Sequence, residues 1–133
     1  QMRYSLITRE IETNGVLAAA RELGVTILAY SPLAQGLLTG KYTASNPPTG
    51  ARSLDRRFQA AGLIKLQPVL AKLYELGEKY SKTPAQVALN WLISQPGVIP
   101  IPGIKTAAQV EQNAGALGWE LSAAEVGELS YLG

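Results

Sequence analysis

The run Val25-Thr26-Ile27-Leu28-Ala29-Tyr30 stops abruptly at Ser31-Pro32. Its residues are short, apolar and partly β-branched, the chemistry of a buried strand. Proline has no N–H to give to a ladder, so the strand ends where an aromatic ring meets a loop. Upstream, Val16, Leu17, Ala20 and Leu23 recur at helical spacing behind Asn14-Gly15, and Gly24 is a natural C-terminal stop. Helix, tight turn, strand is the second half of a βαβ unit, which implies a parallel sheet. In such sheets ligands bind at the carboxyl ends of the strands, and Tyr30 stands at one. Gly36, Gly40 and Lys41 follow it closely, which allows close backbone approach and adds a cation.

The rest of the chain repeats this logic. Met2 to Ile7 reads as a strand end running into a loop. Residues 43–65 lack periodicity, hold the turn sequence Asn46-Pro47-Pro48-Thr49-Gly50, and carry Arg52, Asp55, Arg56 and Arg57. A loop of that length in a small domain is usually functional. Leu66, Val69, Leu70, Leu73 and Leu76 predict an amphipathic helix ending near Tyr80. Thr83-Pro84-Ala85-Gln86 opens another, with Ala88, Leu89, Trp91 and Leu92 on its buried face. Val98–Ile101 reads as a strand, with Pro100 against it. Thr106 with Gln109 predicts a capped helix to about Leu117, and Ser122 with Glu125 a last one. The order is strand, helix, strand, long loop, two helices, strand, two helices. Three parallel strands leave both sheet edges unpaired. The chain also begins with Gln inside an apparent element, so it reads as a piece of a longer polypeptide.

With 133 residues, 47% apolar and 17% charged, the chain can bury a real core. A net charge of +2 argues against nucleic acid and anionic membrane surfaces as partners. No apolar run approaches the ~18 residues of a membrane span. Neither Cys nor His is present, which excludes disulfides, thiolate metal sites and Ser-His or Cys-His catalysis by this chain. No metal site is expected.

Three blocks then stand out in order: Gln1 with Tyr4-Ser5-Leu6; Ala29-Tyr30-Ser31-Pro32-Leu33-Ala34-Gln35-Gly36-Leu37-Leu38-Thr39-Gly40-Lys41-Tyr42; and Ile101-Pro102-Gly103-Ile104-Lys105 with Gln109, Gln112, Asn113 and Gly115-Ala116-Leu117. Together they resemble the C-terminal part of the aldo-keto reductase family, in the branch of plant and plastid reductases and channel-associated β subunits. The resemblance implies an α/β fold, a (β/α)8 TIM barrel of which this chain would form strands six to eight with their helices. It would be an incomplete barrel whose N-terminal half is the missing partner. The family's catalytic Asp, Tyr, Lys and His come from earlier strands. No residue of this chain matches them, and none of its tyrosines is assigned to that role.

The resemblance also implies NADP(H) as cofactor and a small carbonyl compound as substrate, in chloroplast or cytoplasm. Gln1 matches the glutamine that holds the nicotinamide carboxamide, and alternatively is a solvated terminus. Tyr30 matches the ring that stacks on the nicotinamide; the bland alternative is a core tyrosine with a wet hydroxyl. Ser31, Pro32, Leu33, Ala34 and Gln35 match the loop along the pyrophosphate, where Leu33 would act through its backbone. Lys41, Arg52 and Ser53 match phosphate-side residues, although Gly50 stands where the family often has an aromatic. Gly103 and Lys105 match the turn before the capped helix. A cation there suits the 2′-phosphate, because free amides and the helix dipole attract anions to the same place. Gln109 either caps that helix or reaches the adenosine. Gln112 replaces the family's usual Glu at the adenine, and Asn113 is retained. The implied function is NADPH-dependent reduction of an aldehyde or ketone by hydride transfer. A nicotinamide-binding regulatory subunit and an inactive fragment are the alternatives.

Overall fold

Strand β2 (Ile27–Tyr30) lies between β1 (Met2–Arg3) and β3 (Val98–Ile101), parallel to both. The computed structural model describes all 133 residues. Helices α1 (Glu10–Thr13) and α2 (Val16–Glu22) join β1 to β2. Helices α3 (Ala60–Tyr80) and α4 (Pro84–Ile93) join β2 to β3, and α5 (Ala107–Ala114) and α6 (Ala123–Leu132) close the chain. This is an α/β arrangement in which the strands form an arc of a (β/α)8 barrel. The barrel is incomplete in this chain.

The first half-unit forms as its sequence requires. Asn14 accepts a hydrogen bond from the Val16 amide (3.1 Å) at the start of α2. At its end Gly24 takes φ +65°, and the amides of Gly24 and Val25 bond back to Arg21 and Ala20. That is a Schellman cap. It corrects the strand boundary, because Val25 belongs to the cap and is 54% exposed, so pairing begins at Ile27.

Two further boundaries differ from the sequence reading. Helix α3 starts at Ala60, six residues before the apolar stripe announces it, because Ala60-Ala61-Gly62 presents nothing to bury. Gly62 packs on the preceding turn, where a Cβ would stand 2.6 Å from the Arg56 and Arg57 carbonyls. Pro68 lies inside α3 but on its exposed side, where water can replace the lost donor. Helix α5 stops at Ala114 rather than near Leu117, its last carbonyls being taken by tighter turns from Ala116 and Leu117. The 43–65 stretch contains short 3-10 turns at Gly50–Leu54 and Arg56–Phe58. Pro100 is tolerated in β3 for a geometric reason. Ile27 donates to the Gly97 carbonyl, so the alternate residue Pro100 turns its nitrogen to the open edge.

Helices cover one face of the sheet. Ile27, Ala29 and Val98 are buried there among Leu63, Leu70, Val87, Ala88 and Trp91. The Tyr4 ring meets Trp91 edge-on at 5.7 Å, and its hydroxyl donates to Glu12 at 2.6 Å. Burial first, and then that bond, push the Tyr4 hydroxyl well up. On the opposite, inner face Tyr30, Ile99 and Ile101 are 43%, 52% and 38% exposed.

Glu125 locks α6 onto α3. It accepts from Lys79 (2.6 Å), Tyr80 (2.7 Å) and the Ser122 amide (2.8 Å) and is only 7% exposed. Burial alone would raise its carboxyl, but the hydrogen bonds of Lys79, Tyr80 and Ser122 outweigh it and hold the group down at about 2, from 4.5. A depressed folded-state value stabilises the fold above the unfolded value, and that contribution is lost as pH falls through the folded one. Stability should therefore decline between 4.5 and about 2. Glu125→Gln should cost on the order of 1–3 kcal/mol at neutral pH. Urea unfolding at pH 7 and pH 3 tests this, and the cost should be smaller at pH 3.

Candidate functional site

A groove of about 750 Å³ runs along the carboxyl ends of β2 and β3. Its walls are the 30–42 segment, Arg52 from the long loop, and the 101–109 segment leading into α5. None of its 16 lining residues is acidic, whereas Lys41, Arg52 and Lys105 are basic. No carboxylate pairs with any of the three. Asp55, the nearest acidic residue in sequence to Arg52, is committed to Arg57 at 2.6 Å. Those hydrogen bonds hold its carboxyl at about 2.

The backbone of the first wall is held in the left-handed region at Ser31 (φ 52°), Ala34 (49°), Gln35 (59°), Gly36 (100°) and Gly40 (75°). Three of these carry side chains, and each such position costs of order 1 kcal/mol. In return, the path turns amides outward. Those of Ser31 and Leu33 donate to no protein acceptor. On the facing wall Gly103, Ile104 and Thr106 also have undonated amides. Concavities of free N–H groups are suited to phosphate oxygens.

Ten of the residues expected from sequence line this groove: Tyr30, Ser31, Pro32, Leu33, Gln35, Lys41, Arg52, Gly103, Lys105 and Gln109. Tyr30 presents a half-exposed ring at the strand end. Leu33 has the free amide that a backbone role needs. Thr106 caps α5 by accepting from the Gln109 amide at 3.3 Å. The expected reciprocal bond lands one residue earlier. The Gln109 side-chain oxygen accepts from the Lys105 amide at 2.7 Å and fixes that lysine at the helix mouth. The other five expected residues lie outside the lining. Ala34 is 1% exposed and spends its amide on the Ser31 carbonyl, so it shapes the loop from beneath. Ser53 donates to the Gly50 carbonyl at 2.7 Å within its own turn. Gln1 is exposed at the start of β1, and Gln112 and Asn113 lie further along α5.

Reading the sequence for this groove missed Thr39 and Tyr42. Thr39 donates to the Gly36 carbonyl (2.7 Å) and accepts from the Lys41 amide (3.2 Å), so it sets the turn that delivers Lys41. Arg3, outside the groove lining, was also missed. It is level with Tyr30 in the β1–β2 register, on the same face, with one guanidinium nitrogen sealed from solvent and unbonded. No sequence signal marks it, because its place depends on strand register. The arrangement offers binding: a flat ring at one end, free amides along the middle and three unneutralised cations. It lines no carboxylate, and the chain has no histidine or cysteine for acid–base work.

Comparison with known proteins gives the family and the fold. The Aldo/keto reductase family model matches residues 1–132. Pyridoxal reductase, chloroplastic, of Arabidopsis thaliana is 45% identical over 131 residues, which are 98% of this chain and 35% of that protein. The structure of the glycerol dehydrogenase AKR11B4 from Gluconobacter oxydans superposes with a TM-score of 0.89 at 29% identity, covering 98% of this chain and 40% of that one. Cofactor words differ among relatives. A Schizosaccharomyces pombe aldo-keto reductase, 37% identical over 97% of this chain and 39% of its own length, carries NADP(+) in its name. An Escherichia coli methylglyoxal reductase, 36% identical over 94% and 38%, is named NADH-specific. The chain thus spans little more than a third of the length of these relatives.

The turn before Lys41 is tightly specified. Gly40 has φ 75°, and a Cβ there would lie 2.1 Å from the Tyr74 hydroxyl. Gly40→Ala should destabilise the fold by about 1–3 kcal/mol. In a Tyr74→Ala background the collision is gone and only the backbone part should remain. Urea midpoints of the four proteins measure the two parts separately.

Proposed function

This chain belongs to the aldo/keto reductase family, and on that premise we propose that it forms the cofactor-binding part of an NADPH-dependent reductase of small aldehydes or ketones. The observation that carries the reading is the meeting of three unpaired cations, undonated amides and the half-exposed Tyr30 in one groove. Bound there, a nicotinamide cofactor supplies the hydride that reduces a carbonyl carbon. Tyr30 stacks on the nicotinamide and decides which face of it is presented to substrate. The Ser31 and Leu33 amides bind pyrophosphate oxygens. Lys105, Arg52 and Lys41 serve the phosphate-rich remainder. No residue of this chain is given a part in proton transfer. The plastid in the Arabidopsis relative's name supports a chloroplast compartment, with cytoplasm as the alternative.

Preference for NADPH over NADH rests on Lys105 and Arg52. The 2′-phosphate is the only difference between the cofactors. A lysine at a helix N-terminus is repelled by the dipole unless an anion lies between them. The Gln109 bond nevertheless holds the Lys105 backbone at the mouth of α5. Arg52 adds a planar fork of donors from the loop.

Lys105→Ala should raise the NADPH dissociation constant about tenfold or more, the equivalent of one charge-assisted bond. NADH affinity should hardly change. Added salt should shrink the difference, because Lys105 is exposed. Fluorescence titration with both cofactors decides. Equal losses would move Lys105 to the pyrophosphate or the helix, and binding of neither cofactor by the unaltered protein would overturn the reading.

A further inference from the structure

Arg52 and Lys41 come from opposite ends of one loop segment, and one residue touches both. Tyr42 is 8% exposed, and its ring meets Phe58 edge-on at 5.5 Å and 82°. Phe58 is 1% exposed. The two rings therefore fasten the start of the largely exposed 43–57 stretch to its end. Above, Gly36 presses on Tyr42: a Cβ there would lie 3.3 Å from the ring. Phe58 and Gly36 both pack against this nearly buried ring.

The Arg52 Nη1 donates to the Tyr42 hydroxyl at 3.4 Å, the one side-chain hydrogen bond Arg52 makes. The Lys41 ammonium stands 5.6 Å from the centre of the same ring. Neither contact neutralises a charge. A carboxylate in this place would orient Arg52 equally well and cancel its field. A phenol is a neutral acceptor and an aromatic face attracts a cation through its quadrupole, so both basic groups keep their full charge for an anion. Arg57, five residues on, shows the contrast: its guanidinium makes three bonds to the Asp55 carboxylate, at 2.6 to 3.1 Å.

We infer that Tyr42 is a positioning residue that aims Arg52, and steadies Lys41, at an anionic group in the groove while leaving both uncompensated. The inference deepens the cofactor reading above and rests on it for the identity of the anion, the 2′-phosphate of NADPH. Tyr42, nearly buried in the groove wall, acts through Arg52.

Tyr42→Phe keeps the ring packing and removes only the hydroxyl. In the protein carrying this chain it should raise the NADPH dissociation constant by about three- to tenfold. NADH affinity should move by less than about twofold. Arg52→Met should do at least as much as Tyr42→Phe, and the double variant should match Arg52→Met alone, because the hydroxyl works only through that side chain. Trypsin supplies a readout independent of any cofactor. Cleavage after Arg52 should quicken in Tyr42→Phe while other sites keep their rates. An additive double variant, equal losses for both cofactors, or no effect of Tyr42→Phe where Arg52→Met has one would overturn the inference. So would an unchanged cleavage rate after Arg52, even if Lys105→Ala behaves as expected. If Arg52→Met and Lys105→Ala both leave NADPH binding intact, the cofactor reading falls, and the proteolysis result alone then decides the role of Tyr42.

Discussion

The parallel register of β2 against its two neighbours sets Tyr30 level with Arg3 on one side and Ile101 on the other. Parallel pairing puts all three carboxyl ends at the same edge, so the loops that follow β2 and β3 must meet there. The meeting is what makes a groove from two segments some seventy residues apart (30–42 and 101–109). The register is held by the buried face. Ile27, Ala29 and Val98 fit among α3 and α4, and a slip of one residue would turn Tyr30 into that core.

Binding capacity at this edge comes from groups left unsatisfied. Left-handed backbone at Ser31, Ala34 and Gln35 is unfavourable and like charges at Lys41, Arg52 and Lys105 repel, while the undonated amides are left to solvent. The core offsets these costs elsewhere, with Trp91, Tyr4 and Phe58 fully enclosed. An anion would relieve the amides and the charges together. The Tyr42 hydroxyl accepts from Arg52 and the Gln109 side-chain oxygen accepts from the Lys105 backbone amide, and neither contact neutralises a charge.

Helix α5 brings Lys105 and Gln109 to the groove, yet it buries no residue. Its position depends on polar ties from α4. Gln86 donates to the Gln112 carbonyl at 2.8 Å. The buried Asn90 donates to the Ala116 and Trp119 carbonyls and accepts from the Leu121 amide. One amide side chain thus satisfies three backbone groups of the loop after α5 and fixes where that loop runs. A helix held by its ends and its neighbours' amides suits a wall whose outer face must stay free.

Local chemistry by itself determined the elements and the family. Strand β2 ending before Ser31-Pro32, the caps at Thr83, Thr106 and Ser122, and the glycine stop at Gly24 are written in residues within one turn of where they act. The three ordered blocks named most of the groove for the same reason, since each is a contiguous loop after one strand. Where the determinant was distant, the sequence was silent. The tolerance of Pro100 depends on which edge of β3 is open. Arg3 beside Tyr30 depends on strand register. The tie from Tyr42 to Arg52 depends on two rings meeting across a loop. Only the tertiary structure decided these, because they arise from packing between segments whose separation along the chain carries no local signal.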